Sequence, residues 1–339
     1  MAVIEARQLT KRFRVPVKSP GLMGAIKHLI QPRSTETVVV DAIDLTIEAG
    51  ECVAYVGPNG AGKSTTVKML TGVLVPSAGE VHVRGLVPHQ HRRDNNRNIG
   101  VVFGQRTQLW WDLPVQESLR LLGDIYEVPA ERFARNLNTY IELLDLGPLL
   151  RVPTRLLSLG QRMRCDLAAT LIHSPAILYL DEPTIGLDVA VKARLRQFLK
   201  QMNREAGVTM LLTSHDLGDI EDLCERMVMI DQGRIVFDGP LRQLKARFSR
   251  SRSIHFVLRQ VPTLTEAWVQ REIQTVGPCD VRLNGYQLSV QFNPVDVSAG
   301  TLIGWLLPLV AVEDVRIEEP SVETIIRQLY EGRLSVVDG

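Results

Sequence analysis

The segment GPNGAGKST, from Gly57 to Thr65, constrains the fold of this chain more than any other feature. It matches the pattern G-x-x-x-x-G-K-[ST], follows the mostly apolar run 51–56 and opens a stretch that can form a helix. A strand, a glycine-rich loop and a helix in this order place backbone N–H groups and the positive end of the helix around an anion. The pattern therefore predicts an α/β domain with a phosphate-binding loop, and its alternative is a glycine-rich turn that binds nothing.

The residue types of this loop suit the binding of phosphate and magnesium. The glycines at positions 57, 60 and 62 lack the Cβ atoms that would keep N–H groups from turning inward. Lys63 supplies a positive charge for the outer phosphates, and the Ser64 hydroxyl is an oxygen ligand of the kind that Mg²⁺ prefers. The predicted nucleotide ligands from the loop are Gly57, Pro58, Asn59, Gly60, Ala61, Gly62, Lys63, Ser64 and Thr65.

A second motif, ILYLDEP, reads as a buried parallel strand that ends in two carboxylates. Nucleotide sites in open parallel sheets lie at the carboxyl edge of the strands. Asp181 is predicted to hold magnesium through water, and Glu182 to polarise the attacking water, because phosphoryl transfer depends mostly on positioning and charge stabilisation. The alternative is a solvated Asp-Glu turn, which the apolar run before the pair and Pro183 after it disfavour.

Further short segments flank this acidic pair. VVFGQ ends at Gln105, LSLGQ spans 157–161, IGLD ends at Asp188 and LLTSHD contains His215. Together with the phosphate loop, they resemble the ATP-binding cassette (ABC) ATPases, over roughly residues 1–240. The resemblance implies an α/β phosphate-loop NTPase core with a mixed sheet and a helical subdomain at about 106–170. It also implies ATP hydrolysis with ATP and Mg²⁺ bound.

The resemblance assigns roles to single residues. Ser158, Gly160 and Gln161 are expected to contact the nucleotide held by the opposite subunit. Asp188 matches the D-loop aspartate, and Phe13 matches the aromatic residue that stacks on adenine. Catalytic roles fall to Lys63, Glu182 and His215, and metal contacts to Ser64, Gln105 and Asp181.

One position departs from the family pattern, because LSLGQ has Leu159 where the usual LSGGQ has its first glycine. Gly160, whose backbone must approach phosphate, is present. Two alternatives remain: Leu159 points away from the nucleotide, or it faces the phosphate and weakens binding. Since Glu182 and His215 are both present, the site is interpreted as hydrolytic.

The chain carries one phosphate loop and one LSLGQ segment, which is the signature motif of the resemblance, and it has no internal repeat. In the family, the loop of one subunit faces the signature motif of the other across ATP. The resemblance therefore implies a homodimer in which two copies close head to tail.

Charge and hydropathy limit the partners of the chain. Its 39 Lys and Arg against 38 Asp and Glu give a net charge of +1, which argues against broad nucleic-acid binding. Local basic clusters leave contact with anionic lipid headgroups open. Four cysteines without C-x-x-C spacing and no signal peptide favour a reduced cytosolic compartment. No segment reaches the roughly 20 apolar residues of a membrane span, so a transporter built on this chain needs separately encoded transmembrane permease subunits.

Two regions of the core bear on that partner. The insertion at 15–37 is expected either to touch a membrane subunit or to form a surface loop. In the helical subdomain at about 106–170, called the helical arm below, Trp110 and Trp111 are adjacent and cannot both face one core from a regular strand. They suggest either an exposed aromatic anchor at an interface or one packed and one partly exposed indole.

The C-terminal region, 241–339, is predicted to be a separate domain after a core at 1–240. Strands are expected at 253–258, 280–283, 287–292 and 310–318, with helices at 264–275, 297–307 and 321–330. That order is the split β-α-β arrangement of a small α+β, ferredoxin-like domain. Its role is left between dimer support and regulation.

The C-terminal region also resembles the C-terminal extension of ABC type 2 exporter ATPases. This resemblance is weaker than that of the motifs in residues 1–240 to the ABC ATPases. The function predicted from these resemblances is an ATPase subunit that powers a bacterial exporter of drug, lipid or polysaccharide type. It is expected to lie peripherally on the cytoplasmic side of the cell membrane. The alternatives are an importer motor and a soluble ABC ATPase without a transport role.

Overall fold

The computed structural model describes residues 1–16, 34–103, 107–214, 216–248, 252–260, 262 and 264–318. Gln105 and His215 lie outside these ranges, as do residues 17–33 of the insertion and the helix predicted at 321–330. The chain divides into two compact units, Met1–Gly239 and Pro240–Gly339. Among the described residues, there is no helix with the length and apolar character that a membrane span requires.

The first unit alternates strands and helices along most of its length. Its strands are β1 (Ala2–Pro16), β2 (Ser34–Glu48), β3 (Cys52–Val56), β4 (Ala78–Val83), β5 (Ile99–Phe103), β6 (Ile177–Asp181), β7 (Thr209–Thr213), β8 (Arg226–Asp231) and β9 (Arg234–Pro240). Its helices are α1 (Lys63–Leu70), α2 (Arg92–Asn98), α3 (Val115–Ile125), α4 (Ala130–Leu144), α5 (Leu159–Leu171), α6 (Val189–Arg204) and α7 (Leu217–Leu223).

Six strands form the central sheet in the order β5-β6-β7-β3-β8-β9. The pairs β5–β6, β6–β7, β3–β7 and β3–β8 are parallel. Residues 53–56, 177–180 and 209–213 are buried throughout, as expected for strands covered on both faces. Because β3, β6 and β7 run in the same direction, the residues that follow them meet at one edge of the sheet.

A second sheet of three antiparallel strands has the order β2-β1-β4. Its buried face includes Ile4, Leu9, Val40 and Leu45, which pack in the same hydrophobic cluster as Val53 and Tyr55 of β3. The first unit is therefore the mixed-sheet α/β core that the sequence predicts.

The expected helical arm contains α3, α4 and α5. Trp110 and Trp111 lie just before α3, and 39% and 51% of their surfaces are exposed. The guanidinium of Arg162, on α5, lies 5.6 Å from the centre of the Trp111 ring. Both indoles therefore face solvent in part, which differs from the alternative in which one is packed in the core.

The second unit contains α8 (Leu241–Phe248), β10 (Arg252–Leu258), α9 (Glu266–Ile273), β11 (Cys279–Asn284), β12 (Gln287–Phe292), α10 (Ala299–Leu306) and β13 (Val312–Glu318). Its four antiparallel strands have the order β11-β12-β10-β13. Ile254, Phe256, Val290 and Leu302 belong to its own hydrophobic core. The strand and helix order confirms the predicted ferredoxin-like fold.

Candidate functional site

The phosphate loop joins β3 to α1, as predicted. A Cβ at Gly57 would lie 2.3 Å from the Ile230 carbonyl oxygen. Gly62 has φ +109°, and a Cβ there would lie 2.7 Å from the Val39 carbonyl oxygen. At these two positions glycine is required because neighbouring backbone approaches too closely for any side chain, a steric reason that the sequence does not reveal.

Lys63 is the first residue of α1, and its side chain is largely buried beneath the loop. Its ammonium donates hydrogen bonds to the carbonyl oxygens of Gly57, at 2.5 Å, and Pro58, at 3.2 Å. Burial lowers the pKa of Lys63, and the negative charges of Glu182 and Asp181 oppose that shift. A cation held beside an anion-binding loop suits a phosphate ligand.

Asp181 ends β6, where it faces the phosphate loop. One carboxylate oxygen accepts a hydrogen bond from the Thr213 hydroxyl at 2.5 Å, and the other lies 3.5 Å from the Ser64 hydroxyl. No group of three or more His, Cys, Asp or Glu side chains suited to a metal ion occurs among the described residues. The two oxygens of Ser64 and Asp181 nevertheless fit Mg²⁺, which keeps waters and takes phosphate oxygens for its remaining ligands.

Glu182 follows directly, with an unusual backbone conformation. Its φ is +55°, in the left-handed region, and its N–H donates to the Thr213 carbonyl oxygen at 3.0 Å. Such a φ is uncommon outside glycine and costs about 1–3 kcal/mol where the surrounding structure enforces it. Seven other described non-glycine residues also have a positive φ, so this conformation alone does not mark Glu182 as functional.

These residues line one cavity of about 600 Å³ at the carboxyl edge of the sheet. The predicted site residues that line it are Pro58, Asn59, Gly60, Gly62, Lys63, Ser64, Thr65, Asp181 and Glu182. Sequence analysis missed five further lining residues: Val39, Lys68, Val73, Phe103 and Ile185. Of these, Lys68, Phe103 and Ile185 had a usable signal, since each lies within three residues of a predicted site residue.

The signature segment is placed apart from this cavity. Ser158 is the N-cap of α5: its hydroxyl accepts from the Gln161 N–H at 3.3 Å, and the Gln161 side chain accepts from the Ser158 N–H at 2.9 Å. This capping box defines the helix start. Ser158, Gly160 and Gln161 are not among the described residues that line the cavity. The two parts of the predicted ATP site are thus not brought together within one chain.

The side chain of Leu159 lies against the loop that follows Glu182. Gly186 has φ +72°, and a Cβ there would lie 2.8 Å from Cδ2 of Leu159. A Cβ at Gly160 would contact Val191 of α6 at 3.4 Å. Asp188 caps α6 by accepting from the Val191 N–H at 2.9 Å. The signature helix therefore packs on the segment 186–191, and Leu159 fills that contact.

The remaining predicted ligands differ in what can be said of them. Phe13 lies on β1 with 37% of its surface exposed, the Lys11 ammonium lies 5.3 Å from its ring centre, and Phe13 is not a lining residue of the cavity. Its stacking on adenine stays a prediction. The roles of Gln105 and His215 also stay predictions, because both residues lie outside the described part of the chain.

A buried ionic network beside the site was missed at the level of sequence. The fully buried Asp219 accepts from the Arg196 guanidinium at 2.6 Å and from the Ser214 hydroxyl at 3.2 Å. The Thr184 hydroxyl also donates to this carboxylate. The network ties the segment after Glu182 to the end of β7. No local pattern marks it, because Thr184 and Arg196 lie 35 and 23 residues from Asp219.

A glycine-rich loop between a strand and a helix, with two carboxylates at the adjacent strand end, defines a phosphate-loop nucleotide-binding protein. The family model described as ABC transporter matches residues 40–185. Nod factor export ATP-binding protein I of Ralstonia nicotianae is 34% identical over 215 residues, 63% of this chain and 66% of that protein. The chain therefore spans slightly less than two thirds of that relative.

Daunorubicin resistance ATP-binding protein DrrA3 of Streptomyces coeruleorubidus is 34% identical over 237 residues, which cover 70% of this chain and 74% of that protein. The solved dimeric structure of MJ0796, described as a bacterial ABC transporter cassette, has a TM-score of 0.57 at 25% identity. It covers 70% of this chain and 99% of that one. The chain belongs to the family of ABC transporter ATP-binding proteins, whose members are ABC ATPases. The predicted family is confirmed.

Proposed function

We propose that this chain is the ATP-binding and ATP-hydrolysing subunit that powers a membrane ABC transporter. The observation that carries the proposal is the meeting of Lys63, Ser64, Asp181 and Glu182 at one cavity of about 600 Å³. A phosphate-binding cation, two oxygen ligands for Mg²⁺ and a carboxylate that can position water are the groups that phosphoryl transfer to water needs.

Each group has one task in this mechanism. ATP supplies the phosphoryl group that passes to water. Lys63 and the loop N–H groups hold the outer phosphates, while Ser64 and Asp181 offer oxygens to Mg²⁺. Glu182 orients the attacking water and accepts its proton. Because little covalent chemistry is left to the protein, the rate depends on how well these groups are positioned.

The same proposal includes a head-to-tail homodimer. The phosphate loop lines the cavity, whereas Ser158 lies outside it, at an exposed helix N-terminus. The N-terminus of α5 can donate hydrogen bonds to phosphate, and the Ser158 hydroxyl keeps its own proton for donation. A second copy would supply this end of α5 to the cavity of the first. The dimeric state of the similar MJ0796 cassette supports the arrangement.

Export is the direction that the relatives favour. Their names state Nod factor export and daunorubicin resistance. We propose an exporter of drug, lipid or polysaccharide type, with separately encoded transmembrane permease subunits and a peripheral position on the cytoplasmic face of the membrane. ATP closes the dimer, closure displaces the permease, and hydrolysis reopens the dimer.

The partner is tested by affinity purification from detergent-solubilised membranes of the source cells with a tagged Glu182→Gln chain and ATP. The matched control is a tagged Lys63→Ala chain, which lacks the phosphate-binding cation. We expect a protein with several membrane spans, recovered without a solute-binding protein. Recovery of a solute-binding protein would favour an importer, and recovery of ribosomes or DNA-repair factors alone would overturn the transport role.

A further inference from the structure

A buried carboxylate links the signature helix to the segment that follows β5. Asp166 lies on α5, five residues past Gln161, with 6% of its surface exposed. One of its carboxylate oxygens accepts from the Thr107 hydroxyl at 2.7 Å and from the Gln108 N–H at 3.1 Å. The Thr107 hydroxyl oxygen in turn accepts from the Leu109 N–H at 3.1 Å. One side chain thereby fixes residues 107–109.

A second set of contacts joins the same two elements. The Gln108 side-chain amide donates to the Asp166 carbonyl oxygen at 3.3 Å, and also to the Thr170 hydroxyl. Thr170 packs on β5, where a Cβ at Gly100 would lie 2.6 Å from its Cγ2 atom. The signature helix is therefore held both to β5 and to the segment that leaves β5.

The chemistry of the link is unlike ordinary packing. Burial raises the pKa of Asp166 to about 6, while hydrogen bonds from Thr107 and Gln108 and the charge of Arg162 act in the opposite direction. Burying a carboxylate costs free energy, and its benefit is a fixed geometry. An apolar residue would fill the same volume without directing the loop.

We propose that Asp166 is a positioning residue that makes residues 107–109 and the signature helix move as one body during the ATPase cycle. The inference rests on the proposed function, in which this helix must reach the nucleotide of a second copy. Residue 107 is two residues past Gln105 in sequence. A displacement of this connection would therefore reach Ser158 through α5 without passing through the cavity.

The separation from the cavity makes the inference testable. The described residues that line the cavity do not include Asp166, Thr107 or Gln108. Loss of the link should therefore leave nucleotide capture at the phosphate loop intact and slow the step that needs the correctly placed signature helix. In kinetic terms, kcat should fall while KM for ATP stays nearly constant.

The experiment measures steady-state ATP hydrolysis by the purified full chain and its variants. Thr107→Val removes the hydroxyl at nearly equal size, and Thr107→Ser keeps it. Asp166→Ala removes the acceptor, and Asp166→Asn keeps one oxygen. Glu142→Gln, at an exposed position on α4, is the control for the loss of a charge in the arm.

We expect Thr107→Val and Asp166→Ala to lower kcat about tenfold with KM within about twofold, because small misplacements near a reacting centre have large effects on rate. Thr107→Ser and Asp166→Asn should recover most of the rate. If Asp166→Ala fails to fold, the Thr107 pair decides.

The inference is overturned if Thr107→Val is as active as Glu142→Gln, if valine and serine behave alike, or if KM rises while kcat is unchanged. A parent chain without any ATPase activity would instead overturn the proposed function, and the inference with it. An active parent with insensitive Thr107 variants overturns the inference alone.

Discussion

The phosphate loop and the signature segment, both within residues 1–239, differ in how completely their own chain surrounds them. Residues 58–60 and 62–65 lie at the carboxyl edge of the sheet and line a cavity together with Asp181 and Glu182. Ser158 is an exposed helix cap whose hydrogen bonds close a capping box within α5. One chain therefore builds a phosphate-binding surface and, outside that cavity, an exposed helix end. This difference supports the proposed dimer, in which the exposed end of α5 would serve the cavity of a second copy.

Lys63→Ala should have the largest effect, because it removes the cation of the phosphate-binding surface. We expect ATP hydrolysis to fall by about 100-fold or more, the scale seen when a donor to a transition-state charge is removed. Steady-state phosphate release by the purified chain measures it. Lys200→Ala is the matched control, since Lys200 lies on α6 and pairs with Asp222 at 2.9 Å. Equal activity of the two variants would break the assignment.

Glu182→Gln, at the same phosphate-binding surface, should separate ATP binding from ATP hydrolysis. The substitution keeps the shape of the side chain and removes its capacity to accept a proton, so hydrolysis should also fall by about 100-fold. ATP affinity should remain, because the loop and Lys63 are unchanged. Equilibrium binding of radiolabelled ATP and single-turnover hydrolysis measure the two effects. Turnover close to that of the parent would remove Glu182 from the mechanism.

On the signature side, Asp166 predicts a dependence of stability on pH. Its pKa of about 6 in the folded chain lies above the ordinary value of 3.8. Between pH 3.8 and pH 6, the native state therefore binds more protons than the unfolded state does. The contribution of Asp166 is therefore most favourable below pH 4 and is lost as pH rises through 6. From the size of the pKa shift, we expect the free energy of unfolding of Asp166→Asn to rise by about 2 to 3 kcal/mol relative to the parent as the pH increases through the two pKa values.

Urea unfolding of the two chains at several pH values measures this difference. Arg162 and the donors Thr107 and Gln108 are unchanged in Asp166→Asn, so comparison with the parent isolates the carboxyl group. A constant difference in the free energy of unfolding from pH 4 to 7 would contradict a raised pKa.

Gly186→Ala should have the smallest effect and tests the contact of Leu159. The left-handed φ costs alanine about 1 kcal/mol, and the clash with Leu159 adds about 1 kcal/mol more. Gly207→Ala is the matched control, because Gly207 has φ +67° with open space around it. Adding Leu159→Ala to Gly186→Ala should recover only the stability lost to the clash and leave the cost of the left-handed φ. Equal destabilisation by both glycine substitutions would show that Leu159 does not occupy this position.

The predictability of the molecule follows the range of its interactions. The strand Gln287–Phe292 and the edge position of Asp181 were predicted because alternation and apolar runs are local patterns. The network of Asp219, Arg196 and Thr184 and the link between Asp166 and Thr107 were not. Their partners lie 23 to 59 residues apart, so only the packed fold brings them together. The side-chain direction of Leu159 likewise depended on the course of a distant loop.

The central claim is that two chains share each ATP site, and mixing two inactive variants tests it most directly. Lys63→Ala disables the loop, and Ser158→Arg places a bulky cation at the exposed end of α5. In an equal mixture, half of the dimers contain both variants, and each of these has one intact site of two. About a quarter of the parent ATPase activity should therefore return. No recovery above the separate variants, with mixed dimers confirmed by a second tag, would contradict the shared site.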